Sequence, residues 1–241
     1  MFWALFPTSL LILERDISDS RYNFLGIVNE RLFSYDNSKC IIQQLPFEYS
    51  SSYGKGSQYG PESIIQASHF VEEYDIELNK EIYKEVGICT LPPFNFDVEE
   101  AEALMLEIEQ ASVPYLNDGK FLISLGAEHS VSYGVIKAQQ AFHPEMAVLQ
   151  IDAHSDLRDK YQGNSWSHAS VMARVTELGL RLFQVGIRAQ SAEEAKAMKA
   201  NPKIHCWYDK DIHANDGWMD EVIERLPEYV YLTIVLSNEI T

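Results

Sequence analysis

The chain has 241 residues, of which 46% are hydrophobic, and a formal net charge of −17 at pH 7. This length and apolar content suffice for one large α/β domain with a substantial core. The negative charge argues against a nucleic-acid backbone or an anionic membrane as partner, and it suits a small cationic molecule. Cys40, Cys89 and Cys206 are widely spaced and form no CxxC pair. We therefore expect reduced thiols and a cytoplasmic protein.

The first 36 residues are interpreted as an N-terminal extension, followed by a single domain over residues 37–241. Residues 2–13 are apolar but interrupted by Pro7, which makes them too short for a membrane span of about 20 residues. They also lack a basic flank and a small-residue cleavage site. This pattern favours a buried segment, or a start codon assigned too far upstream, over a targeting signal.

Short β-like runs alternate with helical ones after about residue 40. Strands are predicted over residues 40–45, 121–125, 146–151, 181–185, 204–207 and 229–234. Helices are predicted over residues 61–74, 131–142, 170–178, 192–200 and 218–226, with a further helix from a capping box at Asp97 and Glu100 to Gly119. The alternation predicts an α/β fold with a mainly parallel sheet and helices on both faces. In such sheets, ligands bind beyond the carboxyl ends of the strands.

Two histidine-bearing motifs follow predicted strands. Asp152, His154 and Asp156 occupy alternate positions after an apolar run, so on an extended chain they share one side. His129 follows a neighbouring strand, which would bring its imidazole beside the two carboxylates. This set of ligands suits a cation such as Mn²⁺ or Zn²⁺. The alternative is that Asp152 caps a helix and His154 is a polar loop residue. The second motif at His129 makes this alternative less favoured.

Four spaced motifs resemble those of the ureohydrolase family, which comprises the arginases and agmatinases. The family motif G-G-x-H-S appears at residues 126–130, with Ala127 in place of the second glycine, and D-A-H-x-D appears intact at residues 152–156. Ser-Tyr-Gly-Lys-Gly at residues 52–56 matches the early loop of the agmatinase branch, and residues 161–169 match the stretch that lines the family's substrate pocket. The chain is most similar to that branch. A metal-dependent deacetylase of the same fold is disfavoured by the early loop.

The resemblance implies a three-layer α/β/α sandwich with a dinuclear Mn²⁺ site. In it, His129 and Asp156 would hold one metal ion, His154 the other, and Asp152 would bridge them. The implied reaction is hydrolysis of a small cationic guanidino compound, agmatine, to urea and the amine putrescine. Two metal ions that share one water molecule lower its pKa and place it for attack on the guanidinium carbon.

The resemblance also implies roles for two residues beyond the metal ligands. His168 would be the catalytic histidine that transfers a proton or contacts the substrate, a role that histidine chemistry in general permits. Asn164 would bind the substrate together with His168. The family's homo-oligomeric assembly is a further implication, and no nucleic-acid or membrane partner is expected.

The second metal motif of the family, D-x-D, is not found where the resemblance places it. Val235 and Ser237 stand at the positions of its aspartates, and the last strand and helix of the family are missing after them. We therefore expect an incomplete ureohydrolase domain that holds one metal ion at most, exposes apolar surface beside its last strand and has impaired activity and assembly. The alternatives are a non-catalytic fragment or pseudoenzyme, or another ureohydrolase such as an arginase, a guanidinobutyrase or a formimidoylglutamase.

Overall fold

A computed structural model of the chain describes residues 22–96 and 100–236. The predicted capping residue Asp97 and the C-terminal Ser237 lie outside these residues. Among the described residues, one compact unit comprises residues 22–46, 56–95 and 112–127. A second unit comprises residues 47–55, 96, 100–111 and 128–236. Each unit has its own parallel sheet.

The first unit contains a three-stranded sheet in the order β2-β1-β3. Its strands are β1 (Cys40–Leu45), β2 (Ile88–Pro93) and β3 (Phe121–Gly126), and its helices are α1 (Gly60–Ala67) and α2 (Ile82–Val86). Strand β1 is central and buried along its whole length. Strand β2 was not predicted, because two consecutive prolines end it. Proline lacks the N–H group that a central strand needs, and β2 lies at the edge of the sheet where this loss is tolerated.

Residues 22–36 pack against the rest of the first unit. Ile27 and Phe33 are buried, and the backbone N–H of Phe24 donates a hydrogen bond to the Thr90 hydroxyl at 2.9 Å. The described part of the predicted extension therefore contributes to the core of this unit.

Helix α1 is shorter than the predicted helix over residues 61–74. It ends at Ala67, and a 3-10 turn over Ser68–Phe70 follows. The Ser68 hydroxyl donates to the Ile65 carbonyl at 2.6 Å and accepts from the backbone N–H of Leu25 at 2.8 Å. A serine that bonds locally in this way competes with continuation of the helix.

The second unit contains a four-stranded parallel sheet in the order β6-β5-β4-β7. Its strands are β4 (Ala147–Ile151), β5 (Arg181–Ile187), β6 (Ile204–Tyr208) and β7 (Val230–Ile234). Its helices are α4 (Ser132–Phe142), α5 (Val171–Glu177), α6 (Ala192–Ala200), α7 (Asp209–Ile212) and α8 (Trp218–Arg225), and α3 (Ala101–Asn117) contributes its first turns.

Two apolar clusters cover the two faces of this sheet. Adjacent residues of β5 belong to different clusters, since Leu182 packs with Met172 of α5 and Phe183 packs with Val222 of α8. Successive side chains of a strand point to opposite faces, so both faces of the sheet are covered by helices. The predicted α/β fold with parallel strands is therefore confirmed.

In the part of the chain that the structure describes, the strands form a three-stranded and a four-stranded sheet. Within the described residues, β7 pairs with β4 alone. Leu232 and Ile234 on β7 are 51% and 57% exposed, which agrees with the expectation of apolar surface beside the last strand. In residues 22–96 and 100–236, no helix is long and apolar enough to cross a membrane. Cys40, Cys89 and Cys206 form no disulfide bond.

Candidate metal centre

His129, Asp152 and Asp156 form a buried cluster in the second unit. His129 begins the 3-10 turn that leads into α4, and Asp152 directly follows β4. The Nδ1 atom of His129 lies 2.7 Å from Oδ2 of Asp156 and 3.5 Å from Oδ2 of Asp152. One ligand atom from each residue lies within 4.8 Å of the other two. The cluster therefore offers one nitrogen and two oxygen ligands around a single point.

A turn, rather than an extended strand, brings the two aspartates together. Strand β4 ends at Ile151, and Asp156 has a φ of 50°, in the left-handed region. The Asp156 carbonyl accepts hydrogen bonds from the backbone N–H groups of Met172 and Ala173 at the start of α5. The extended chain that the prediction assumed therefore does not reach Asp156, although both aspartates reach the cluster.

The charges of the cluster suit a bound cation. Burial opposes the charged form of His129, but its hydrogen bond to Asp156 and the negative charges of both aspartates raise its pKa overall. Burial likewise raises the pKa of Asp156, and the adjacent His129 opposes this rise. Two buried carboxylates carry more negative charge than one imidazolium can neutralise, so a divalent cation would stabilise them. The donor set therefore fits Mn²⁺ or Zn²⁺.

The second ring nitrogen of His129 is also engaged. Its Nε2 atom lies 3.1 Å from the Thr233 hydroxyl on β7. Such a partner fixes the orientation of a metal-binding imidazole. Thr233 is buried and was not singled out from the sequence, since an isolated threonine in a strand carries no recognisable pattern.

His154 adjoins the cluster through Asp152. Its Nδ1 atom lies 3.7 Å from Oδ1 of Asp152, its side chain is 32% exposed, and its backbone N–H donates to the same oxygen at 2.9 Å. This position leaves the imidazole on the open side of Asp152. The role of His154 as a ligand of a second metal ion stays a prediction.

His168 lies between two serine hydroxyl groups. Its Nδ1 atom is 2.9 Å from Oγ of Ser50, and its Nε2 atom is 3.1 Å from Oγ of Ser52. The Tyr161 ring packs edge-on against the imidazole, with 5.4 Å between ring centroids. When protonated, His168 is close enough to lower the pKa of Asp156. The structure thus brings His168 near the cluster and fixes its ring.

Asn164 has a structural function in the same region. Its carboxamide oxygen accepts from the backbone N–H of Trp166 at 2.8 Å, and its backbone pairs with Tyr161 in both directions. These bonds stabilise a tight turn before His168. Its predicted contact with a substrate stays a prediction.

Glu128 is a further residue of the site that the sequence analysis did not single out. Its carboxylate accepts from the backbone N–H groups of Tyr49 and Ser50, at 3.0 and 2.8 Å, and from the Ser50 hydroxyl at 3.0 Å. It thereby ties the loop over residues 47–55 to the peptide next to His129. Its position inside the G-A-E-H-S motif was the feature of the sequence that could have indicated its role.

The second unit combines a parallel sheet with a buried cluster of two carboxylates and one imidazole that could hold a metal ion. The sequence profile of the arginase family matches residues 38–237, and the chain belongs to this family. The N(1)-aminopropylagmatine ureohydrolase of Synechocystis sp. is 35% identical over 216 residues, which cover 87% of this chain and 70% of that protein. This relationship confirms the predicted hydrolase class.

Two solved structures show the same fold. The agmatine ureohydrolase of Thermoplasma volcanium has a TM-score of 0.75 and 28% identity, over 88% of this chain and 70% of its own. The formiminoglutamase of Trypanosoma cruzi with Mn²⁺ has a TM-score of 0.74 and 15% identity, over 88% and 74% of the two chains. At that identity the second likeness concerns the fold alone.

Proposed function

We propose that this chain hydrolyses the guanidino group of a linear cationic amine of the agmatine class, with Mn²⁺ as cofactor. One water molecule is consumed, the bond between the guanidino carbon and the chain nitrogen breaks, and urea and a primary ammonium are released. The observation that carries this proposal is the buried cluster of His129, Asp152 and Asp156. The relatives from Synechocystis sp. and Thermoplasma volcanium are ureohydrolases, which supports the reaction class.

The cluster would hold the metal ion through Nδ1 of His129 and one carboxylate oxygen from each aspartate. When bound, Mn²⁺ supplies Lewis-acid activation of water. Burial removes competing solvent from the carboxylates, so their charge acts at short range on a cation and on the guanidinium. The excess of acidic residues in the chain also favours the approach of a cationic substrate.

His168 is the residue that would move a proton to the departing amine. Its two ring nitrogens face the hydroxyl groups of Ser50 and Ser52. The Ser50 hydroxyl donates its one proton to Glu128, so it would accept from Nδ1 of His168, which leaves Nε2 as the nitrogen that would exchange a proton. General acid catalysis of this kind contributes typically about 10²- to 10⁴-fold to a rate.

The loop over residues 47–55 would contact the aliphatic and cationic tail of the substrate. It presents Tyr49 and Tyr53 to solvent, at 58% and 96% exposure, and Glu128 fixes its backbone. Aromatic faces attract ammonium groups. A substrate with a terminal amine, either agmatine or its aminopropyl derivative, suits this surface better than an amino acid does.

A second candidate function is non-catalytic binding of one metal ion. It is favoured by Val235, which follows β7 at a position where the resemblance implies an aspartate. The backbone N–H of Val235 donates to the carbonyl of Ile151, and its side chain offers no ligand. If the chain is catalytic, the missing ligand at Val235 means that it should hold one metal ion well and hydrolyse its substrate slowly.

Urea release by the purified chain with Mn²⁺ tests the proposal. Agmatine and N(1)-aminopropylagmatine should give urea, while arginine and guanidinobutyrate should give less urea. D156N should bind no Mn²⁺ and release no urea, because it loses a charged ligand. Binding of Mn²⁺ without urea from any of these substrates would establish the non-catalytic alternative instead.

A further inference from the structure

Two glutamines lie side by side in the middle of the second sheet. Gln150 of β4 and Gln184 of β5 are register partners, and neither is exposed to solvent. The Gln184 amide nitrogen donates to the Gln150 carboxamide oxygen at 2.6 Å. Burying two carboxamides among apolar strands costs free energy unless their hydrogen bonds are made. The partners of these amides therefore indicate what the pair does.

The remaining N–H groups of the pair all reach the segment that carries the aspartates. Gln150 Nε2 donates to Oδ2 of Asp152 at 2.9 Å and to the His154 carbonyl at 3.0 Å. Gln184 Nε2 donates to the Ser155 carbonyl at 2.7 Å. The other Asp152 oxygen accepts from the backbone N–H of His154. Both oxygens of this carboxylate and two successive carbonyls are thus fixed.

Glu194 holds the same segment from the side of α6. Its Oε1 atom accepts from the Ser155 hydroxyl at 2.9 Å and from the backbone N–H of Leu157 at 3.0 Å. These two residues flank Asp156, whose left-handed backbone is unfavourable for an aspartate in isolation. Such a conformation persists where the surroundings impose it.

We propose that Gln150 and Gln184 are positioning residues that hold the Asp152 carboxylate and the turn to Asp156 ready for a metal ion. This inference rests on the metal-dependent function proposed above. A neutral amide suits the task, because it orients a carboxylate without neutralising the charge that attracts the cation. Ligands fixed before binding lose less conformational freedom when the metal ion arrives, so affinity rises.

The first unit supplies a matched control. Gln43 of β1 is equally buried, and its amide nitrogen donates to the hydroxyl groups of Ser124 and Ser112 at 2.7 and 3.3 Å. None of these partners belongs to the metal cluster. Q43M therefore removes a buried amide of the same type without changing any contact of the aspartates.

Calorimetric titration of the full chain with Mn²⁺ at fixed pH tests the inference. Q150M should weaken Mn²⁺ binding by about 10- to 100-fold, the range for loss of a partner that orients a ligand. Q43M should retain the wild-type Kd. Q184M should weaken binding less, because Gln150 keeps its own bond to Asp152. The double variant Q150M/Q184M should resemble Q150M, since residues that act as one unit are not additive.

Thermal unfolding of the metal-free variants separates positioning from loss of fold. A folded Q150M with a raised Kd supports the inference, and folded Q150M and Q184M with the wild-type Kd would overturn it. If Q150M does not fold, Q184M decides the matter. Absence of Mn²⁺ binding by the wild-type chain would instead overturn the proposed function, and the inference with it.

Discussion

Both described sheets bury glutamine side chains, but the hydrogen bonds of these glutamines stabilise different parts of the protein. In the first sheet, the Gln43 amide reaches two serine hydroxyl groups and the Gln44 amide reaches the Leu91 carbonyl at 2.8 Å. In the second, Gln150 and Gln184 reach a carboxylate and the backbone of the metal-capable segment. A buried glutamine in a strand is therefore not a functional residue by itself. What its hydrogen bonds hold in place decides its role.

The largest effect should follow from removing a ligand charge in the second unit. D152N keeps the shape of the side chain but halves the buried negative charge of the cluster. Mn²⁺ affinity should fall beyond the about 10- to 100-fold expected for an outer partner, and urea release should cease. S124A in the first sheet, which loses only a bond to Gln43, should retain both properties. Titration calorimetry and a urea assay on the two variants make the comparison.

A glycine in the second unit should be much less tolerant of substitution than one in the first. A Cβ atom at Gly134 of α4 would lie 2.6 Å from the Met105 carbonyl and 2.8 Å from Cβ of Ile108, whereas a Cβ at Gly60 of α1 meets nothing within 4 Å. G134A should lower the free energy of unfolding by about 1–3 kcal/mol through overpacking. G60A should leave it nearly unchanged.

Denaturant unfolding followed by far-ultraviolet circular dichroism measures this difference, because both units contain helices. Equal midpoints for G134A and G60A would show that α4 can move away from α3 without cost.

The pH dependence of stability should reverse when the metal ion binds. The pKa values of His129 and Asp156 are both raised in the folded chain. Their protonation stabilises the metal-free fold at low pH, and this contribution is lost as pH rises through each folded-state pKa. For His129 the loss falls above the ordinary imidazole value of 6.5. Mn²⁺ displaces these protons, so the metal-bound protein should gain stability over the same interval.

Melting temperatures from pH 5 to 9, with and without Mn²⁺, provide the test. The metal-free Tm should decline through this interval, and the difference between the two curves should widen as pH rises. Parallel curves would mean that the metal ion does not bind at His129 and Asp156.

The smallest effect concerns thiol chemistry, and here the two units should behave alike. Burial, with a contribution from Asp211, raises the pKa of Cys206 in the second unit to about 12. Burial also raises the pKa of Cys40 in the first. Because the thiolate is the reactive form, both should resist alkylation by iodoacetamide at pH 8 while the chain is folded. Mass spectrometry before and after denaturation would detect the change, and rapid labelling of folded Cys206 would contradict it.

Most of the fold could be predicted, because the elements of the second unit follow local rules. Helix α6 spans Ala192–Ala200 as predicted, and a capping box of Ser191 and Glu194 starts it. Strand β2 could not be predicted, since its place at the edge of a sheet compensates for its prolines and is a tertiary property. The division into two sheets is likewise set by pairing between distant segments.

The proximity of His129, Asp152 and Asp156 could be predicted, because all three belong to short sequence motifs. The motifs D-A-H-S-D and A-E-H-S follow neighbouring predicted strands, and the three side chains lie together in the structure. The contact between Gln150 and Gln184 could not be predicted, because it depends on the register in which β4 and β5 pair. The turn at Asp156 escaped for a similar reason, since bonds from α5 help to fix its left-handed backbone.

The attachment of the 47–55 loop to Glu128 has a thermodynamic consequence. Glu128 is covalently bonded to His129, so the loop that would contact a substrate and the residue that would hold a metal ion share one peptide unit. A substrate that changes the affinity for Mn²⁺ through this peptide would have its own affinity changed by Mn²⁺ by the same factor. The affinity for the substrate and the affinity for Mn²⁺ would then depend on each other.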